Sequence, residues 1–160
     1  MAENRRYWLL KTEPDCYSID DMKRDGRTFW DGVRNYQARN FMRDDMHPGD
    51  LSLFYHSGAN PPGVAGVVEI VSTGYPDHTQ FDPSEDHFDP KSTRENPRWV
   101  MVDVEFRAKF DDVIPLAELK GRDGLEDMVV TQRGSRLSVQ PVTPEEWEQV
   151  MELAAELHAP

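Results

Sequence analysis

The segment Phe29-Trp30-Asp31-Gly32-Val33-Arg34-Asn35-Tyr36-Gln37-Ala38-Arg39-Asn40 holds the residue types of this chain best suited to binding chemistry. A Trp followed by a Gly turn and a helix start offers, in one place, a flat π surface, backbone N–H donors and a weak positive field. A planar polar ligand such as a nucleobase needs those features, because it is stacked on its face and read along its edge. The same Trp30 can equally fill a core. Trp99 carries the same pair of readings: it opens an alternating strand on the face opposite Val100, Val102 and Val104, so it either lines a pocket or covers a barrel end under a long loop. Tyr55, His56 and Ser57 end another predicted strand, where two hydroxyls and an imidazole either reach a ligand at the rim or stay solvated.

Other chemistries find less support. The chain has no Gly-x-Gly-x-x-Gly, no Gly-Lys-Ser/Thr phosphate loop, no Gly-x-Ser-x-Gly elbow and no His-Glu-x-x-His. The five histidines are scattered. Asp82, Glu85, Asp86, His87 and Asp89 crowd one stretch, but without the ordered ligand spacing of a calcium loop, and read as a solvated acidic loop.

The elements that must position these residues are legible in part. Residues 7–10 form a short apolar run that reads as a buried first strand, ended by Pro14. Ser18 with Asp21 three residues on predicts a capped short helix stopped at Gly26, and Asn35 predicts a second, with Ala38, Phe41 and Met42 on one face. Residues 51–55 and 64–71 read as paired strands, and residues 100–110 alternate cleanly between apolar and polar. Residues 75–97, with Phe-Asp-Pro at 81–83 and again at 88–90, read as a long loop. Residues 116–119 and 125–129 each predict a helical turn or two, and 137–139 a last strand. Thr143, Pro144 and Glu146 predict a capped C-terminal helix, with Val142 and Trp147 as a hydrophobic staple and Trp147, Val150, Met151, Ala154 and Leu157 as its apolar stripe.

At 160 residues the chain suits one domain, and 38% hydrophobic with 30% charged residues fits a globular protein, neither disordered nor a membrane span. Its formal charge of -12 argues against a non-specific polyanion binder. The charge is segregated, however. Residues 1–43 hold nine Lys/Arg against seven Asp/Glu, and a second acid-free window around Arg133 and Arg136 gives another positive island. Brought together, the two islands would attract a small anion; apart, they are ordinary surface charge. The lone Cys16 excludes an internal disulfide, and the apolar run near the N-terminus is shorter than a secretory core, so a cytoplasmic location is expected.

Taken in order, these motifs resemble the EVE domain family, relatives of the PUA, ASCH and YTH domains. The resemblance rests on Trp8-Leu9-Leu10-Lys11-Thr12-Glu13-Pro14, the 30–40 segment, Gly66-Val67-Val68-Glu69-Ile70-Val71, Tyr75-Pro76-Asp77, Asp89-Pro90-Lys91-Ser92, Asn96-Pro97-Arg98-Trp99 and residues 133–142. It implies an α+β fold over residues 1–160: a PUA-like small β-barrel flanked by short helices, with a C-terminal helix. It also implies a reader that receives a flipped, modified base, methylated or hydroxymethylated cytosine in DNA, with RNA as the alternative. By similarity to the YTH branch, Lys11, Trp30 and Asp31 fall on pocket-lining positions, and Phe81 stands where the family often has Trp. His78 in place of the usual Pro, and Thr131-Gln132 ahead of Arg133, depart from the pattern.

The expected site therefore has Trp30 and either Phe81 or Trp99 sandwiching the base. Asn35, Ser57 and backbone near Gly32 read its edge, Tyr55 and His56 stand at the rim, and Arg34, Arg39, Arg133 and Arg136 meet phosphates. No catalytic residue, metal or cofactor is expected; the partners expected are modified DNA and an associated nuclease or other effector, with no membrane, and the chain as a monomer. The rival is a small amidohydrolase of the ASCH type using Lys11, Thr12 and Glu69, and a third reading is a scaffold that docks through the Trp147 helix or the acidic loop.

Overall fold

The computed structural model describes residues 5–133 and 137–157. One mixed sheet organises them, built from β1 (Tyr7–Thr12), β2 (Arg27–Trp30), β3 (Leu51–His56), β4 (Gly63–Ile70), β6 (Val100–Pro115) and β7 (Val139–Val142) in the spatial order β2-β6-β4-β3-β1-β7, with β5 (Tyr75–Pro76) pairing β6 off that path. Among the described residues the only parallel ladder is β1 with β3, which needs a crossover. The crossover contains α1 (Ile19–Asp25), β2 and α2 (Tyr36–Asn40), the last running into a π-helical turn, Phe41–Asp45. The expected mixed α+β architecture is present, but the barrel is not closed by hydrogen bonds, since β2 and β7 end an open path.

Strand alternation sends side chains to two cores, one on each face. Trp8, Leu10, Phe54 and Val68 pack with Ile19 and Met22 of α1 on one side. Leu9, Leu53 and Val67 pack with α3 (Leu116–Lys120) and α4 (Pro144–Leu157) on the other. Trp30 from one end of the ladder and Val139 from the other meet in the first core, so the sheet curls around it even though its edges stay unpaired. Gly66 permits this crowding: a Cβ there would lie 2.2 Å from the Ala108 carbonyl oxygen and 2.8 Å from Ile19 Cδ1.

The long strand β6 departs from simple alternation. Val68 pairs with Phe106 while Val67 pairs with Ala108, a bulge that gives β6 an extra residue. Val100, Val102, Val104 and Phe106 therefore serve the first core, and Ala108 and Phe110 the second. The predicted caps form as expected: Ser18 and Asp21 make a reciprocal box, Asn35 accepts the Ala38 N–H, and Thr143 and Glu146 exchange bonds of 3.0 and 3.1 Å. Residues 125–128 fold as turns in place of the expected helix, followed by a 3-10 turn at Val129–Thr131. Leu153 joins the buried face of α4, while Leu157 is exposed.

Candidate functional site

The C-terminal end of β1 and the end of β2 are separated by three strands in the ladder, yet the curl of the sheet brings them to one cleft of about 380 Å³. That volume lies at the low end for small-molecule sites. Its walls are Lys11 and Thr12 of β1, Cys16 and Tyr17 from the turn before α1, Thr28, Phe29 and Trp30 of β2, then Asp31 and His87.

Trp30 is 7% exposed and belongs to the first core as well as to the cleft. Tyr17 and Phe54 meet its ring at 83°, so neither occupies the parallel stacking position that a planar ligand would take. The Tyr17 hydroxyl donates to Asp25 Oδ2 at 2.7 Å, and burial together with this carboxylate raises its pKa far above the ordinary tyrosine value. Lys11 Nζ stands 5.7 Å from the Tyr55 ring centroid, and burial lowers the ammonium's pKa. Neither Lys11 nor Asp31 makes a side-chain ion pair or hydrogen bond among the described residues. The cleft thus sets three aromatic side chains, Tyr17, Phe29 and Trp30, beside the cation of Lys11 and the carboxylate of Asp31.

A buried network fixes this geometry. Gly32 takes φ +80°, and its N–H donates to Asp77 Oδ2 at 2.7 Å. Asp77, fully buried, also accepts from Arg34 Nη1 at 3.1 Å and from the Thr79 N–H and hydroxyl at 2.8 and 2.6 Å. Burial by itself would raise its pKa, but the bonds from Thr79, Gly32 and Arg34 outweigh that and hold the carboxyl below its ordinary value. Arg34 donates further to the carbonyls of Val33 and His87 and to Thr79 Oγ1. His87 is thereby held against Gly32, where an added Cβ would come within 2.9 Å of its Cε1. Buried Gln80 orders the rest of the long loop, donating to the carbonyls of Asp77 and Trp99 and accepting from Ser92 and the N–H groups of Arg98 and Trp99.

Of the residues expected to contact a base, the cleft unites Lys11, Trp30 and Asp31, with Gly32 adjoining under His87. Tyr55 lies buried beneath Lys11. His56 accepts the Ile19 N–H at 3.1 Å, and burial lowers its pKa, so it serves the start of α1. Asn35 caps α2, and the Ser57 N–H bonds the Thr12 carbonyl. Phe81 sits beneath the Arg94 guanidinium, while Trp99 is 6% exposed, donates to Asp89 Oδ2 and stacks on Tyr36. Neither Phe81 nor Trp99 lines the cleft opposite Trp30.

Two of the expected phosphate contacts have internal roles. All five N–H groups of Arg34 are engaged within the protein, which makes it a clamp and corrects its expected place at a phosphate. Arg39 bonds Asn40 Oδ1 and the Arg98 carbonyl and covers the Tyr36 ring. Arg133 is exposed, and Arg136 lies outside the described residues. The cleft walls at Thr28, Phe29, Tyr17, Cys16 and His87 were not assigned from sequence. Phe29 and Thr28 adjoin Trp30 on its strand, whereas His87 arrives through the Arg34 clamp, which leaves no local sequence signal. Among the described residues no cluster of three or more His, Cys, Asp or Glu is placed to hold a metal ion, and no helix is long and apolar enough to cross a membrane.

A curled mixed sheet with helices on both faces and a cleft between the ends of β1 and β2 defines the class of structure. Residues 6–153 match the EVE domain family model. Thymocyte nuclear protein 1 from Gallus gallus is 46% identical over 94% of this chain and 69% of its own. A hypothetical protein from Leishmania major has the same fold with a TM-score of 0.92 and 49% identity, covering 98% of this chain and 99% of that one. Human THYN1 protein, solved in complex with DNA containing 5-methylcytosine, matches with a TM-score of 0.87 and 45% identity over 93% of this chain and 97% of that one. The chain belongs to the EVE domain family.

Proposed function

We propose that this protein is a non-enzymatic reader whose cleft receives one flipped, modified base, a methylated or hydroxymethylated cytosine of DNA. The observation that carries the reading is a cleft that joins Trp30, on which no ring lies parallel among the described residues, to Lys11 and Asp31, which make no side-chain ion pair or hydrogen bond there. The Watson–Crick edge of cytosine presents an amino donor and two acceptors; Asp31 can only accept when ionised and Lys11 can only donate. A similar human protein in complex with 5-methylcytosine DNA supports this choice of base. The amidohydrolase reading has weaker support. Lys11 and Thr12 do share the cleft, but Glu69 is engaged by Arg107 between β4 and β6 and is not among its walls. An affinity panel of DNA and RNA oligonucleotides, each with a single modified or unmodified base, tests the reading. A stacked base contributes about 1–3 kcal/mol, so Trp30→Ala should weaken binding roughly ten- to a hundredfold, with Trp30→Phe falling between. Because Trp30 also packs in the core, each variant is first confirmed to be folded by circular dichroism. A folded Trp30→Ala variant that binds like wild type refutes the proposal.

A further inference from the structure

Among the described residues the exposed large hydrophobics are Phe29, Tyr36, Phe88 and Leu157. Leu157 ends α4, whereas the three aromatics each connect to the cleft or to the loop over it. Phe29 is itself a wall, Phe88 follows the wall residue His87, and Tyr36 stacks on Trp99, over which Arg34 reaches from its bonds to the His87 carbonyl. Singly exposed apolar residues need no explanation, but an exposed aromatic next to the wall of a cleft is placed to meet what enters it.

The three differ in how firmly they are held. Phe29 meets the His78 ring edge-on at 4.9 Å, and Tyr36 lies between Trp99 and the Arg39 guanidinium. Phe88 has no ring partner among the described residues; its N–H bonds the Glu85 carbonyl, and the loop on either side is tied down through Arg34 to His87 and Trp99 to Asp89. It is a free aromatic on an anchored backbone.

We infer that Phe88 is a wedge that enters a DNA duplex beside the target and fills the space an extruded base leaves. This inference rests on the base-reading function proposed above. Duplex-bending proteins use apolar side chains in this way to separate stacked base steps. The same loop carries both signs: Lys91, Arg94 and Arg98 make no salt bridge among the described residues, Arg94 covers the Phe81 ring, and the acids Asp89 and Glu95 stand among them. Glu85 and Asp86 precede it and oppose phosphate approach, so the insertion itself is apolar and its contribution scarcely changes with salt.

The test compares wild type, Phe88→Ala, Phe88→Leu and Trp30→Ala by fluorescence anisotropy on three probes. These are a duplex with one 5-methylcytosine opposite guanine, the same strand alone, and a duplex with the modified base opposite an abasic site. Phe88→Ala should bind the matched duplex about tenfold more weakly, yet stay within about twofold on the other two probes, whose target base is already free to leave. Phe88→Leu should restore part of the loss, and the ratio should be the same at 0.05 and 0.2 M salt, as about expected of an apolar contact. Trp30→Ala should lose affinity for all three. If Trp30→Ala loses binding while Phe88→Ala matches wild type on every probe, or weakens all three equally, the wedge is refuted and the base-reading function stands. If wild type binds no probe, both are refuted.

Discussion

Asp77→Asn tests the network that shapes the cleft, because it keeps the side chain's size and removes its charge. Oδ1 accepts the two Thr79 bonds and Oδ2 the bonds from Gly32 and Arg34. A carboxamide keeps one acceptor and turns its NH2 towards the other set. With its oxygen on Gly32 and Arg34, the Thr79 hydroxyl can rotate to accept, but the Thr79 N–H is left facing a donor in a fully buried position. An unsatisfied buried donor costs about 1–3 kcal/mol, and the one Arg34 bond to Asp77 loses its charge assistance, so a total of roughly 3 kcal/mol is expected. In a domain of this size each kcal/mol moves the melting temperature by about 2–4 °C, which gives a fall of roughly 6–12 °C at pH 7. Thermal and urea unfolding of Asp77→Asn, Arg34→Met and the double variant measure it, and the double should cost less than the sum of the singles. The pH dependence has a definite sign. Since the folded carboxyl lies below its unfolded value, its contribution is complete above about pH 4 and is lost as pH falls through the folded value. The gap between wild type and Asp77→Asn should therefore be level from neutral pH to about 5 and narrow below about 4. A melting temperature within about 2 °C of wild type, or a gap that widens in acid, refutes the reasoning.

Gly32→Ala places a Cβ at φ +80° and 2.9 Å from His87 Cε1. The left-handed conformation costs about 1 kcal/mol and the exposed imidazole must move, so melting should fall by about 2–4 °C while base affinity falls with the displaced His87; calorimetry and titration separate the two. His56 accepts the Ile19 N–H only when neutral, and its folded pKa is lowered from 6.5. Its contribution is thus complete above about pH 6.5 and lost as pH falls below it, so wild type should lose stability towards pH 5 more steeply than His56→Gln in parallel melts. Lys11 has a lowered pKa, so affinity for the base should decline on the alkaline side earlier than an ordinary lysine would dictate, and Lys11→Met should abolish that limb of the binding-pH profile.

The elements legible in the sequence were those whose signals are local. The boxes at Ser18 and Thr143 and the cap at Asn35 depend on residues three apart, and each formed. The alternation of residues 100–110 also marked a strand, but extrapolating its period put Ala108 and Phe110 with Val104; the bulge opposite Val67 and Val68 sends them to the other core. Trp99 on the polar face found its explanation in Tyr36 and Asp89, 63 and 10 residues away along the chain. The site divided along the same line. Trp30 and Asp31 sit in the segment whose composition announced a binding turn, while the Asp77 and Arg34 pairing that positions them joins residues 43 apart and was visible from neither end.

The fate of the arginines bears on how an acidic chain could hold a polyanion. Affinity dominated by phosphates grows with the number of free cations, and each contact adds about one unit to the salt slope. Here Arg34 is saturated by protein acceptors, Arg39 is bonded to Asn40 and the Arg98 carbonyl, and Arg27, Arg43, Arg107 and Arg122 are paired with carboxylates. These arginines are not available to a backbone, so in the proposed reader more of the affinity would come from what enters the cleft and from apolar contact beside it. That arrangement suits discrimination. The net charge of -12 opposes the non-specific binding that every phosphate on a genome would otherwise supply, while in the proposed function a base stacked on Trp30 would gain its contacts through short-range packing that this charge opposes little.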